Sequence, residues 1–181
     1  MREGVATPDV ALEAARAAQS HIGLARALAR DPQMRERRRA IITAPASVRS
    51  VGEAVMAADR LLETAKAQAD AQVSERNARE KAELMRQLGM DEGESATKAS
   101  RTMIRQLEED QKRRSKRALT DAIDRALIDL LAIYRDVLMV QVGGDGELIN
   151  TDLADLVHEI AQDSTPRQTL ARVDHIETAR K

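Results

Sequence analysis

Residues 119–142 read LTDAIDRALIDLLAIYRDVLMVQV. Leu119, Ile123, Ala126, Leu130, Ile133, Val137 and Val140 recur at alternating steps of four and three. That is the period of a helix face packed in a coiled-coil-like seam. From Ala126 to Val142 the polar groups are Asp129, the Tyr134 hydroxyl, Arg135, Asp136 and Gln141. Apolar residues there cover more than one face. One partner helix cannot bury all of them, so further helices or subunits must surround this stretch.

Reading outward, the same helix is predicted from about Thr97 to Val142, with Gly143 and Gly144 as its stop. Another long helix precedes it, from about Val48 to Leu88, and stops at Gly89. Its seam is Val51, Val55, Ala58, Leu62, Ala65 and Ala69. The linker Gly89 to Ser95 (GMDEGES) is polar, as a hairpin turn should be. At ~1.5 Å per residue each helix exceeds ~55 Å. Two such helices joined by a short loop pack antiparallel, which sets Val73 near Arg114 and Leu62 near Arg125. Val73 to Ala82 and Glu108 to Lys116 are mostly charged, so this part of the hairpin is expected to project into solvent.

Shorter helices flank the pair. Thr7 and Pro8 open one to about Gln19, a second runs from Ser20 or His21 to Arg30, and Asp31 with Pro32 caps a third to Thr43. Pro45 and Ser47 break the chain again. Asn150 or Thr151 caps a helix from Asp152 to Gln162, and Thr165 with Pro166 opens the last one. The fold class is therefore all-α, a helical bundle with a long antiparallel hairpin projecting from it. The last helix reaches Lys181 without a stop signal, and the chain starts one capped helix in, so a fragment is expected.

Composition narrows the function. The 181 residues are 43% hydrophobic and 33% charged, with net charge −1, one Tyr, and no Cys, Trp or Phe. Without aromatic platforms the usual single-strand nucleic-acid modules are excluded. Without Cys there is no disulfide framework, thiolate zinc site or thiol nucleophile. A balanced charge argues against a whole-surface nucleic-acid or membrane binder. The apolar run at Val137–Val140 is too short to span a bilayer, and Met1 to Val10 lacks a signal-peptide core. A cytoplasmic protein is expected.

Candidate chemistry is sparse. His21, His158 and His175 lie on separate predicted helices without ligand spacing, so no metal site is expected. Gly143, Gly144 and Gly146 with Asp145 lack the Lys-Ser/Thr of a phosphate loop and read as a helix stop. Arg117, Asp121, Arg125 and Asp129 form an i,i+4 ladder of alternating sign, read as a solvated face. Arg35, Arg37, Arg38 and Arg39 form one basic cluster. Lys112, Arg113, Arg114, Lys116 and Arg117 form another, with Glu75 and Glu80 on the partner helix to offset it. Solvated faces or interhelix pairs are the first reading of both, and weak contact with a DNA phosphate backbone is the second. Gly23, three residues before Arg26, reads first as a close helix crossing with a surface Arg, and second as an anion-facing Arg.

At this point a resemblance enters. Residues 15–26, ARAAQSHIGLAR, resemble the end of the helical lid of AAA+ clamp-loader subunits, with Gly23–Arg26 similar to their sensor-2 element. Ile133-Tyr134-Arg135-Asp136-Val137-Leu138, followed by Leu148-Ile149-Asn150-Thr151-Asp152, resembles the C-terminal collar domain of the delta prime family of bacterial DNA polymerase III subunits. The charged hairpin is similar to the longer version in actinobacterial members. The resemblance implies a lid tail at residues 1–31 and a collar domain at 32–181, with a hairpin arm at about 70–117. It implies a non-catalytic, oligomerising part of the clamp loader that supports sliding-clamp loading in DNA replication. Its partners would be the other clamp-loader subunits, with no cofactor, small-molecule substrate or membrane. The subunit-interface candidates are then Leu130, Ile133, Tyr134, Val137 and Leu138, and Arg26 matches the sensor-2 position. The ATPase-like domain, with its phosphate loop and arginine finger, is not in the sequence, so no catalytic residue carries over. Two other classes compete: a freestanding coiled-coil adaptor or chaperone that binds through the charged hairpin tip, and a small all-helical mutase or lyase with charges buried in a bundle cavity.

Overall fold

A computed structural model of the chain describes residues 6–89 and 97–181. Its α-helices are α1 (Pro8–Ala17), α2 (Ile22–Arg30), α3 (Pro32–Thr43), α4 (Val51–Gln87), α5 (Lys98–Gln141), α6 (Ala154–Gln162) and α7 (Pro166–Ala179). Two 3-10 turns, Ala44–Ser47 and Thr151–Leu153, complete the regular structure among the described residues. The protein is all-α. Most of the expected linker, residues 90–95, lies outside the described residues.

Local chemistry fixes the helix ends. The Thr7, Asp31 and Thr165 side chains accept from the backbone N–H groups of Val10, Gln33 and Gln168, with Pro at the first helical position each time. Thr165 and Gln168 close a full capping box. At α4, Ser50 Oγ accepts from Glu53 N, and Glu53 accepts from Arg49 N at 2.6 Å. At the end of α5, Gly143 takes a left-handed φ of 66°, while Gly144 N–H returns to Met139 O at 2.9 Å.

The chain forms two compact units, divided at Leu61/Leu62 and Ile123/Asp124, and α4 and α5 are continuous through both divisions. The first unit holds the core predicted around residues 126–142. Ile133, Tyr134 and Val137 of α5 pack with Ile42 of α3, Leu153, and Val157 and Ile160 of α6; Val173 and Ile176 of α7 close over them. The helices required to surround this stretch are thus the chain's own. A satellite cluster joins Ala14 and Ala17 of α1 to Leu28 of α2, with Met34 of α3 against it.

The second unit is a helix pair. Ala65, Ala69 and Val73 of α4 pack on Ala118 and Ala122 of α5, with Leu119 and Ile123 beside them. Gln111 Nε2 donates to Asn77 O at 2.9 Å, Arg114 donates to Asn77 Oδ1 and Glu80, and Lys81 pairs with Glu108. Rising numbers on α4 meet falling numbers on α5, so the pair is antiparallel. Arg114 meets α4 one turn beyond Val73, close to the predicted register.

The predicted α4 seam needs correction at its start. Ala65 and Ala69 are buried, but Val51, Val55 and Leu62 are 83%, 63% and 48% exposed. The half-buried residues at that end are Ala57, Leu61 and Thr64, on another face of the helix.

Candidate functional site

Two polar features stand out, one in each unit. In the first unit, a buried network ties α3 and α5 to the chain after Gly146. Arg38 Nε donates to Asp129 Oδ1 at 3.1 Å, and its guanidinium also donates to Asn150 Oδ1 at 2.5 Å. Arg125 donates to the same Asp129 oxygen at 3.0 Å and to Ala17 O at 3.0 Å. Asn150 is fully buried; its backbone N–H and Nδ2 both donate to Asp136, which also accepts from Ile149 N and Arg135. Every charge here meets an opposite charge or a backbone dipole, the condition for burying ions.

The network corrects the ladder reading. Asp129 is 4% exposed, so it does not lie on a solvated face. Arg125–Asp129 forms, but Asp129 is also claimed by Arg38 from a different helix. Asn150 is not the expected cap: its side chain turns inward, and a 3-10 turn starts α6 instead. The space beside Arg38, lined by Glu13, Arg35, Arg39 and Asp152, is about 50 Å³, well below the ~300 Å³ of small ligand pockets.

The first basic cluster is consumed internally. Arg35 donates to the Leu28 and Ala29 carbonyls at the end of α2, Arg37 pairs with Asp31, Arg38 enters the network, and Arg39 pairs with Asp152 at 2.9 Å. Cations at a helix C-terminus satisfy carbonyls that lack intrahelical partners.

The subunit-interface candidates divide. Ile133, Tyr134 and Val137 are buried in the chain's own core, so they offer no surface to a partner, and this corrects the expectation for them. Leu130 and Leu138 are half-buried. The Arg172 guanidinium sits 5.7 Å from the Tyr134 ring centroid, within cation–π range. Burial pushes the Tyr134 phenol up from its ordinary value. Sequence reasoning correctly found Tyr134 on the over-apolar stretch, but periodicity does not say whether its cover comes from the same chain.

Arg26 is exposed on α2. The close crossing expected at Gly23 is absent among the described residues: the atoms nearest a Cβ built there belong to the His21 ring, at 3.3 Å. His21 is the N-cap of α2, and its Nδ1 accepts from Leu24 N at 3.0 Å. The non-glycine left-handed residues Gln19 and Ser20, just before it, carry the chain from α1 into α2. Among the described residues no group of His, Asp and Glu is placed to hold a metal, and no helix is long and apolar enough to cross a membrane.

The second basic cluster lies on α5, in the helix-pair unit. Arg113 pairs with Asp110, and Arg114 bridges to Glu80 at 2.8 Å. Arg114 and Arg76 together hold the Glu80 carboxyl down at about 2. Glu75, expected to offset the cluster, pairs with Arg79 instead. Lys112, Lys116 and Arg117 remain exposed. Comparison with known family models, with curated proteins and with solved structures gives no match.

Proposed function

We propose that the chain is a non-catalytic assembly module, the collar part of a bacterial clamp loader of the delta prime kind, which supports sliding-clamp loading in DNA replication by joining other subunits. The observation that carries the reading is the first turns of α4. Val51, Val55 and Met56 stand 83%, 63% and 57% exposed. Burying each would gain about 1.5–3 kcal/mol, and an apolar helix face left bare is the usual mark of a partner. The resemblance at residues 133–138 and 148–152 supplies the kind of partner, namely the collar helices of the other clamp-loader subunits. With Ile133, Tyr134 and Val137 committed to the chain's own core, this reading moves the partner contact onto α4.

Co-expression with the collars of the delta and tau/gamma subunits, followed by size exclusion, tests it. The expected result is co-elution, abolished by the double variant Val55→Glu, Met56→Glu with unchanged helicity. A stable monomer that never co-elutes with those collars would refute the reading.

A further inference from the structure

The acidic neighbours of the α5 basic cluster are already engaged. Glu108 pairs with Lys81, Glu109 with Arg105, Asp110 with Arg113 and Glu80 with Arg114 and Arg76. Among the described residues none of these carboxylates reaches Lys112, Lys116 or Arg117, and no other ion pair takes those three up. Asp121 stands one turn beyond Arg117, but no bond joins them, although the spacing would permit one. Three exposed cations therefore stand on this stretch of α5 without an ion-pair partner, Lys112 and Lys116 one turn apart on the same face and Arg117 about 100° round the helix from Lys116. Lys112 and Lys116 are about 6 Å apart along the helix axis.

We propose that Lys112, Lys116 and Arg117 form a contact surface for the phosphate backbone of duplex nucleic acid. Duplex DNA carries a negative charge every ~1.7 Å of its axis, so cations spread over ~7.5 Å of helix meet phosphates wherever they land, without need of a fixed register. The surroundings favour this partner over an acidic protein. Protein docking draws most of its energy from buried aromatic or aliphatic anchors. Among the described residues of α5 the exposed large hydrophobic is Met103, more than two turns away. The surroundings also favour duplex over single strands, because base stacking needs exposed rings and the one aromatic residue, Tyr134, is buried. Nothing here reads bases, so the contact is independent of sequence. The proposal shares no residue with the assembly contact on α4, and it holds or fails without it.

The test uses the whole chain and two 20-base-pair DNA duplexes of unrelated sequence, with binding followed by fluorescence anisotropy across a salt series. Three phosphate contacts predict an affinity loss of about 40-fold between about 50 and 200 mM salt, the same for both duplexes. The triple variant Lys112→Gln, Lys116→Gln, Arg117→Gln should lose most of the low-salt affinity and nearly all of the salt slope. A matched control, Arg30→Gln, Arg167→Gln, Lys181→Gln, removes the same charge elsewhere and should bind like the parent. Asp121→Asn keeps all three cations and should tighten binding severalfold, which preserves the test if the triple variant folds poorly. The proposal is overturned if the parent does not bind at low salt, if the triple variant binds with the parent's affinity and slope, or if the control triple weakens binding as much. Equal affinity for poly-glutamate would also overturn it, by assigning the surface to acidic proteins.

Discussion

At the scale of single residues, Asp129 decides how the first unit is held. Its carboxylate is the common acceptor for Arg38 and Arg125, and its side chain is 6% exposed. Asp129→Ala leaves two guanidinium groups facing a vacated, poorly hydrated site. Removing one partner of a buried ion pair costs about 3–5 kcal/mol. We expect a loss near the lower end, because Arg38 keeps Asn150 and Arg125 keeps the Ala17 carbonyl. Urea unfolding followed by far-UV circular dichroism measures it, and a loss below about 1 kcal/mol would refute the role. This residue also shows where sequence reading stops. The i,i+4 rule sees Arg125 from Asp129, because it looks along one helix. It is blind to Arg38, which lies 91 residues away and arrives only through packing. Asn150 misled in the same way: Asn is a favoured cap, but a buried amide with a donor and an acceptor on opposite sides was worth more as a bridge.

At the scale of the helix, boundaries were legible because their signals are local. Thr7-Pro8, Asp31-Pro32, Thr165-Pro166 and the stop at Gly143 act within one turn, and the observed ends fall within a few residues of those expected. The α4 seam was legible only in part. Apolar spacing identifies a stripe, not the neighbour that covers it, and the covered face at the start of α4 runs through Ala57, Leu61 and Thr64. Between α4 and α5 the polar clamp at Glu80 predicts a pH response. Its carboxyl titrates at about 2 in the folded protein, against an ordinary 4.5. The depressed value means that its stabilisation is fully present above about 4.5 and is lost as pH falls through about 2. Glu80→Gln should therefore flatten the decline in thermal midpoint over that acid range, while the parent falls more steeply. Parallel curves for the two proteins would show that the clamp does not couple to folding.

At the scale of the whole chain, the two units differ in what fills them. The first is closed by Ile42, Ile133, Tyr134, Val137, Leu153, Val157 and Ile160, and the second mainly by Ala65, Ala69, Ala118 and Ala122. A methyl group removes far less surface from water than an isoleucine side chain. Local opening should consequently cost less in the helix pair. Native-state hydrogen exchange is expected to show slower amides around Ile133–Val137 than around Ala65–Val73 or Ala118–Ala122, and the reverse order would contradict this account. The balance was partly visible from composition, since a chain without Phe or Trp must build on aliphatic residues. Which unit received the branched side chains depended on tertiary pairing that periodicity does not encode.

The alanine seam also governs how the two helices are held in register. Side chains this small interlock weakly, so shape alone does little to index one helix against the other. The indexing falls to Gln111 on the Asn77 carbonyl, Arg114 on Asn77 and Glu80, and Lys81 on Glu108. None of the described residues between 62 and 123 belongs to the branched core of the first unit. The pair is therefore modular in length: a whole heptad added to both helices at once would move these clamps together and preserve their match, whereas the same insertion in one helix alone would set every clamp out of step.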